Sequence, residues 1–136
     1  MADTFQLKLL TPYKSLFEGP VEAVMVPGAE GEFGVLSNHT KFASALQPGA
    51  IRFVADGETQ QFAVGGGFAE VSEDGVVILA DSAERTDLID TDRATQALEE
   101  TRKELAELDP TQTALRARLE AKIARAENRL KLARSA

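Results

Sequence analysis

Ser37 and His39 have the side-chain types of a nucleophile and a base, and His39 is the only histidine in 136 residues. Triads assemble in three dimensions, so their spacing does not exclude a Ser/His/Asp arrangement, although a turn or interface histidine is the expected role. One histidine and no cysteine are poor provision for a metal, and no metal site is expected. Pro27-Gly28-Ala29-Glu30-Gly31-Glu32-Phe33-Gly34 carries glycine at every third position. It lacks the Gly-Lys-Ser/Thr ending and the following helix of a phosphate loop, and its two glutamates would repel an anion. It reads as a connection between strands that offers carboxylates as a contact surface. Gly65-Gly66-Gly67-Phe68 would let a ligand approach the backbone, but a bulge or tight strand crossing is expected. Ile89-Asp90-Thr91-Asp92-Arg93-Ala94 has the acidic residues that suit a helix start. Arg125 and Arg129 lie one helical turn apart, a spacing that can grip a phosphate or carboxylate from one face. Ion pairing within the helical region is the alternative use of the two arginines.

These residues fall on two chemically different stretches. All ten glycines, all seven phenylalanines and Tyr13 lie at or before Gly75, and the chain from residue 85 has neither glycine nor aromatic residue. In the front part Phe5, Leu7 and Leu9 alternate with polar residues, the period of a half-buried strand, and Thr11-Pro12 ends the run. Val21–Val26, Phe33–Leu36, Ile51–Ala55, Gln60–Val64, Phe68–Val71 and Val76–Ala80 read as further short strands. Leu46-Gln47-Pro48-Gly49 reads as a type II turn, Asp56-Gly57 as a hairpin turn, and Glu73-Asp74-Gly75 as another turn. Closely spaced strands and turns predict an antiparallel sandwich or barrel.

The period then becomes helical. Ala94, Leu98, Thr101, Leu105 and Leu108 form one stripe, and Leu115, Leu119, Ile123, Ala126, Leu130 and Ala133 a second. Asp109-Pro110 separates them, with Asp109 expected as the second N-cap. Two helices of roughly 20 to 24 residues, each about 30 Å long, would pack as an antiparallel hairpin along a narrow, alanine-rich seam. The expected domains are 1–84 and 85–136, with 81–89 as the candidate hinge.

Net charge is −7, distributed as −8 over residues 1–84 and +1 over 85–136. An acidic front argues against nucleic-acid binding, which depends on neutralising phosphates. No apolar run approaches the ~20 residues of a membrane span. The N-terminal residues lack the basic and apolar regions of a signal peptide, so none is expected.

Taken in order, the motifs resemble the epsilon subunit of bacterial F-type ATP synthase, the counterpart of the mitochondrial delta subunit. The most specific stretch runs from Val26-Pro-Gly-Ala-Glu-Gly-Glu-Phe-Gly-Val-Leu-Ser-Asn to His39, followed by Leu46-Gln-Pro-Gly49. Gly65-Gly-Gly-Phe-Ala-Glu-Val71, Ala83-Glu84 and the Pro110-broken helical pair add to it. The resemblance implies a β-sandwich of about ten strands followed by a helical hairpin. It implies a non-catalytic rotor subunit that binds gamma, rests on the membrane c-ring and couples proton flow to ATP synthesis. Glu30, Gly31 and Glu32 match the family's loop toward the c-ring, and His39 a position near gamma; Ser37-Asn38 stands where the family often has Pro-Gly.

Some members bind ATP in the folded hairpin and need no other cofactor. Ile89, Asp90, Arg93 and Ala94 match their motif, Glu84 the preceding acidic position, and Arg125 and Arg129 the second-helix arginines. Asp90 and Glu84 would accept from the adenine amino group or orient arginines, while Arg93, Arg125 and Arg129 would hold phosphates. In the family the hairpin can also extend into the catalytic head, toward the alpha and beta subunits, and block hydrolysis. The implied location is peripheral, on the cytoplasmic face of the bacterial inner membrane. Read without the resemblance, the same residues leave open a β-sandwich and coiled-coil module of another complex, or a small hydrolase using His39 and nearby carboxylates.

Overall fold

The computed structural model describes residues 3–37 and 41–135. The chain divides into two compact units, Met1–Arg85 and Thr86–Ala136.

In the first unit the strands are β1 (Phe5–Leu10), β2 (Ser15–Val21), β3 (Ala23–Gly28), β4 (Gly31–Leu36), β5 (Phe42–Ala55), β6 (Glu58–Ser72), β7 (Gly75–Ala80) and β8 (Ala83–Arg85). Their hydrogen-bonded order is β2-β1-β7-β6-β5-β3-β4, with β8 also on β6. The sandwich class holds, with two differences from the expectation. The strands number eight rather than about ten, and β1 runs parallel to β7. Sixty-four residues separate the end of β1 from the start of β7, so no tight turn dictates their relative direction. The lower count arises because Pro48-Gly49 and Gly65-Gly66-Gly67 interrupt no strand. β5 runs 14 residues through Pro48, and β6 runs 15 residues through the glycines. The two stay in one register from Phe42↔Val71 to Ala55↔Glu58.

The expected type II turn at Leu46–Gly49 is therefore absent. β5 passes close to β3 there: a Cβ on Gly49 would stand 2.6 Å from Pro27 Cβ. The missing N–H of Pro48 falls where the β3–β5 register shifts, between Met25 and Gly28. A proline in a sheet is tolerated where the ladder is already irregular.

The glycine run marks a change of partner. Before it β6 pairs with β8 (Phe62↔Arg85 to Val64↔Ala83), and after it with β7 (Gly67↔Ala80 to Ser72↔Gly75). Gly65 N–H donates to the Ser82 carbonyl and Asp81 N–H to the Gly66 carbonyl, both at 3.0 Å, which carries the ladder across the switch. Gly66 and Gly67 have φ of 115° and 138°. A Cβ on Gly67 would lie 2.1 Å from the Leu79 carbonyl oxygen.

The strands turn their alternate residues into one core. Leu7, Leu9, Val21, Val26, Ile51 and Ile78 are fully buried within it. Phe17 of β2 meets Phe53 of β5 with ring centroids 4.4 Å apart, and Phe53 stacks on Phe62 at 5.9 Å. β2 and β5 are not hydrogen-bonded neighbours, so this contact crosses the core and defines the two layers. Asp56-Gly57 makes the expected hairpin turn, with both residues at positive φ (52° and 77°), as a type I′ turn requires.

In the second unit a 3₁₀ turn (Thr86–Leu88) precedes α1 (Thr91–Ala106) and α2 (Thr113–Ser135). The hairpin core comprises Ala94, Leu98, Ala126 and Leu130, with Ile123 packed against it. Thr101 is buried in α1 and donates to the Ala97 carbonyl at 2.7 Å, so it leaves no unpaired hydroxyl. α1 has 16 residues, fewer than expected, because the helix closes at Glu107 and leaves Leu108 in the connection. Asp109 is not the N-cap of α2. Its carboxylate accepts from Thr111 N–H and Thr111 Oγ1, both at 3.0 Å, and so folds the chain around Pro110 before the helix begins. Those bonds, the backbone one first, hold the Asp109 carboxyl below its ordinary value.

Gly67→Ala should destabilise the sandwich by on the order of 3 kcal/mol or more, since it combines a backbone clash with an unfavourable φ. Gly57→Ala, which meets no atom within 4 Å, should cost only the conformational term of about 1–2 kcal/mol. Urea unfolding followed by near-UV dichroism reads the sandwich alone, because every aromatic residue lies in it.

Candidate functional site

The Pro27–Gly34 motif forms a tight hairpin. β3 and β4 pair to the end, Gly28↔Gly31, leaving Ala29-Glu30 as a two-residue turn. Gly31 has φ 137°, and a Cβ on Gly28 would press on the Gly31 carbonyl oxygen at 2.7 Å. A Cβ on Gly34 would meet Met25 Sδ at 2.8 Å. The glycines thus serve strand approach and turn geometry. Glu30 is exposed at the tip. Glu32, one residue into β4, pairs with Arg52 of β5 at 3.3 Å. Both side chains of that pair are about half exposed (45% and 48%), so it contributes ~1 kcal/mol or less but orients Glu32 along the sheet. His39 lies outside the described residues.

Glu84 belongs to β8 in the first unit, opposite Ala63 of β6. The other nucleotide-type residues belong to the second unit. Ile89 is half-buried and Asp90 is the N-cap of α1, its carboxylate accepting from Arg93 N–H at 3.1 Å. Ala94 N–H donates to the Asp90 carbonyl at 3.0 Å. Ala94 is fully buried and packs with Leu98, Ala126 and Leu130. A larger residue there would wedge the helices apart. Arg93 is exposed, and Arg125 and Arg129 are half-buried on α2. The motif therefore has a structural basis within its own helix, a cap followed by a seam residue, while its arginines remain at the surface. Among the described residues no group of three or more His, Cys, Asp or Glu could hold a metal ion.

A surface not singled out from the sequence stands out in the sandwich. Phe68 of β6 and Leu79 of β7 are cross-strand partners, 46% and 53% exposed. Ala45 of β5 continues the row beside Phe68, and Val77 lies two residues from Leu79 on the same face. The signal was present in the sequence. Val76-Val77-Ile78-Leu79-Ala80 is apolar at every position, and such runs belong to strands covered on both faces. One face, with Val76, Ile78 and Ala80, is buried in the core; the other is open.

A β-sandwich with a helical hairpin, carrying an open apolar sheet face and an acidic turn, has the makings of an interaction subunit. The profile of the family described as ATP synthase, Delta/Epsilon chain, beta-sandwich domain matches residues 4–86. An ATP synthase epsilon chain of Nitratidesulfovibrio vulgaris is 44% identical over 108 residues, covering 79% of this chain and 81% of that one. An epsilon chain of Maricaulis maris is 43% identical over 105 residues, with 77% and 79% covered. A chain in the structure of the Euglena gracilis mitochondrial ATP synthase (OSCP, F1 and c-ring) superposes with TM-score 0.77 at 30% identity, covering 92% of this chain and 78% of that one. A chain of the Tetrahymena thermophila central stalk and c-ring, at 12% identity and TM-score 0.62, shares the fold. The chain belongs to the delta/epsilon chain family of ATP synthase. Epsilon chains are non-catalytic subunits, and the family places this chain among them.

Asp90→Ala should lower hairpin stability by about 1 kcal/mol through loss of the cap, whereas Asp90→Asn, itself a good N-cap, should retain most of it. Thermal melting followed by the far-UV helix signal distinguishes the two.

Proposed function

We propose that this chain is a central-stalk rotor subunit that docks its sandwich on gamma and on the c-ring, and so couples proton flow to ATP synthesis elsewhere in the complex. The observation that carries this reading is the open apolar face built on Phe68, Val77 and Leu79. A strand apolar on both sides exposes surface that water solvates poorly, and patches of that kind mark protein contacts. The face is the gamma-binding surface of the proposal. The exposed Glu30 turn is the c-ring contact, with Gly31 giving the turn its geometry and Arg52 holding Glu32 beside it. His39 stands near gamma by resemblance. No described helix is long and apolar enough to cross a membrane; the peripheral place on the cytoplasmic side of a bacterial inner membrane is part of the proposal by resemblance.

The hairpin is the regulatory part of the proposal. Glu84, Ile89, Asp90, Arg93, Ala94, Arg125 and Arg129 form its ATP site by resemblance, with Arg93, Arg125 and Arg129 on the phosphates. The seam supports a movable role: two of its four core residues are alanines, and each leucine contributes only about 1.5–3 kcal/mol on burial. Binding to the alpha and beta subunits would then favour the open form, and ATP would favour the closed form.

Replacing Phe68 and Leu79 together by Glu should weaken binding to isolated gamma by about a hundredfold, the scale of two central apolar anchors. Unchanged affinity in a pull-down titration would sink this assignment of the face. Calorimetry with ATP should give binding heat in the intact chain and not in Arg93→Ala, and the same variant in a reconstituted catalytic head should change the ATP dependence of hydrolysis. No heat at millimolar ATP would remove the nucleotide site.

A further inference from the structure

The hairpin carries a groove that neither the nucleotide motif nor the sandwich surfaces use. It has a volume of about 600 Å³ and lies between α1 and α2. Leu98 and Leu130 form its floor; Arg102, Glu127, Lys131 and Arg134 form its walls. Arg102 reaches across from α1 to Glu127 of α2 at 3.4 Å, so the one carboxylate of the lining is already paired. Lys131 and Arg134, both exposed, leave two positive charges uncompensated within the lining.

This groove is on the far side of the hairpin from the family-type arginines. At 3.6 residues per turn, positions 127, 130, 131 and 134 fall within an arc of about 100° on α2, and positions 125 and 129 on the opposite side. The same geometry puts Arg93 on the other flank of α1 from Leu98 and Arg102. Stabilisation of the helix C-terminus accounts for Arg134 in the last turn. It does not account for Arg102, which lies ahead of the last turn of α1, or for the convergence of both helices' cations on one concavity.

We propose that this groove binds a small phosphate-bearing anion. Two free cations and a third beside them match a doubly charged phosphoryl group, which needs several N–H donors from different directions. The volume lies in the range of small-ligand sites, larger than one bare ion requires. The negative end of the α2 dipole lies nearby, so the charge of the side chains, and not the helix terminus, supplies the attraction. Inorganic pyrophosphate and an organic phosphate ester present the same group; they differ in whether Leu98 and Leu130 are also covered.

The test is NMR titration of the full chain, at near-physiological salt, with pyrophosphate and separately with AMP. Amide shifts at Leu98, Arg102, Lys131 and Arg134 are expected with pyrophosphate; added methyl shifts at Leu98 and Leu130 with AMP identify the organic ligand as the better fit. Lys131→Gln/Arg134→Gln should weaken either by at least about tenfold, with the far-UV helix signal unchanged. Arg93→Ala/Arg125→Ala, which disables the proposed ATP site, should leave these shifts in place. No shift at millimolar ligand, shifts confined to the Arg93 and Arg125 face, or affinity unaffected by the glutamine pair would each overturn the proposal.

Discussion

The sandwich depends on two strands each belonging to both layers. β5 and β6 form one long ribbon, and its halves are distributed between β8 and β3 at one end and β7 at the other. A strand can change partner in this way only if its backbone approaches the next one more closely than a side chain allows. Gly67, against the Leu79 carbonyl, is that point. The Phe17–Phe53–Phe62 contacts then close the two halves over a shared core. Packing at protein density leaves such a core little freedom to deform, which suits the proposed role of a rotor coupling.

The hairpin is built on the opposite principle. Its seam is narrow, its helices are covered in charge, and its entry depends on a single N-cap at Asp90. The backbone hydrogen bonds of each helix lie within that helix, so separating the two would forfeit mainly the small seam, which supports the proposed reading of this unit as movable. It also leaves two chemically different flanks, one with Arg93, Arg125 and Arg129 and the other with Arg102, Lys131 and Arg134. Ligands on either flank would act on the same weak contact between the helices.

Much of the architecture was legible. Turns with a local cause were read correctly: Asp56-Gly57 has positive φ at both residues, and the turn at Glu73-Asp74 ends on Gly75 at φ 137°. The turn inferred from Pro48-Gly49 was not: these residues serve close approach to β3, and only the neighbouring strand reveals that. Gly65–Gly67, expected as a bulge or tight strand crossing, is a close crossing within one continuous strand. The helical stripes were placed well, but Leu132, also buried, is off the stripe. Asp109 moved from N-cap to turn because its carboxylate found Thr111 two residues on. In the candidate site, Asp90 and the glycine-spaced hairpin were found from local pattern. The Phe68–Leu79 face was missed, although the unbroken apolar run of β7 announced it.

The sequence by itself determined the division into a glycine- and aromatic-rich front and a helical back, the strand and helix periods, the acidic helix start at Asp90 and the family. These follow from local backbone preference, periodicity and ordered motifs, all of which act over a few residues. The tertiary structure alone decided the parallel β1–β7 pair, the continuity of β5 and β6, the Glu32–Arg52 pairing and the open face shared by three strands. It also decided which helical cations converge on one groove. Each of these joins residues distant in the chain, and sequence order carries no geometry until the strands and helices have packed.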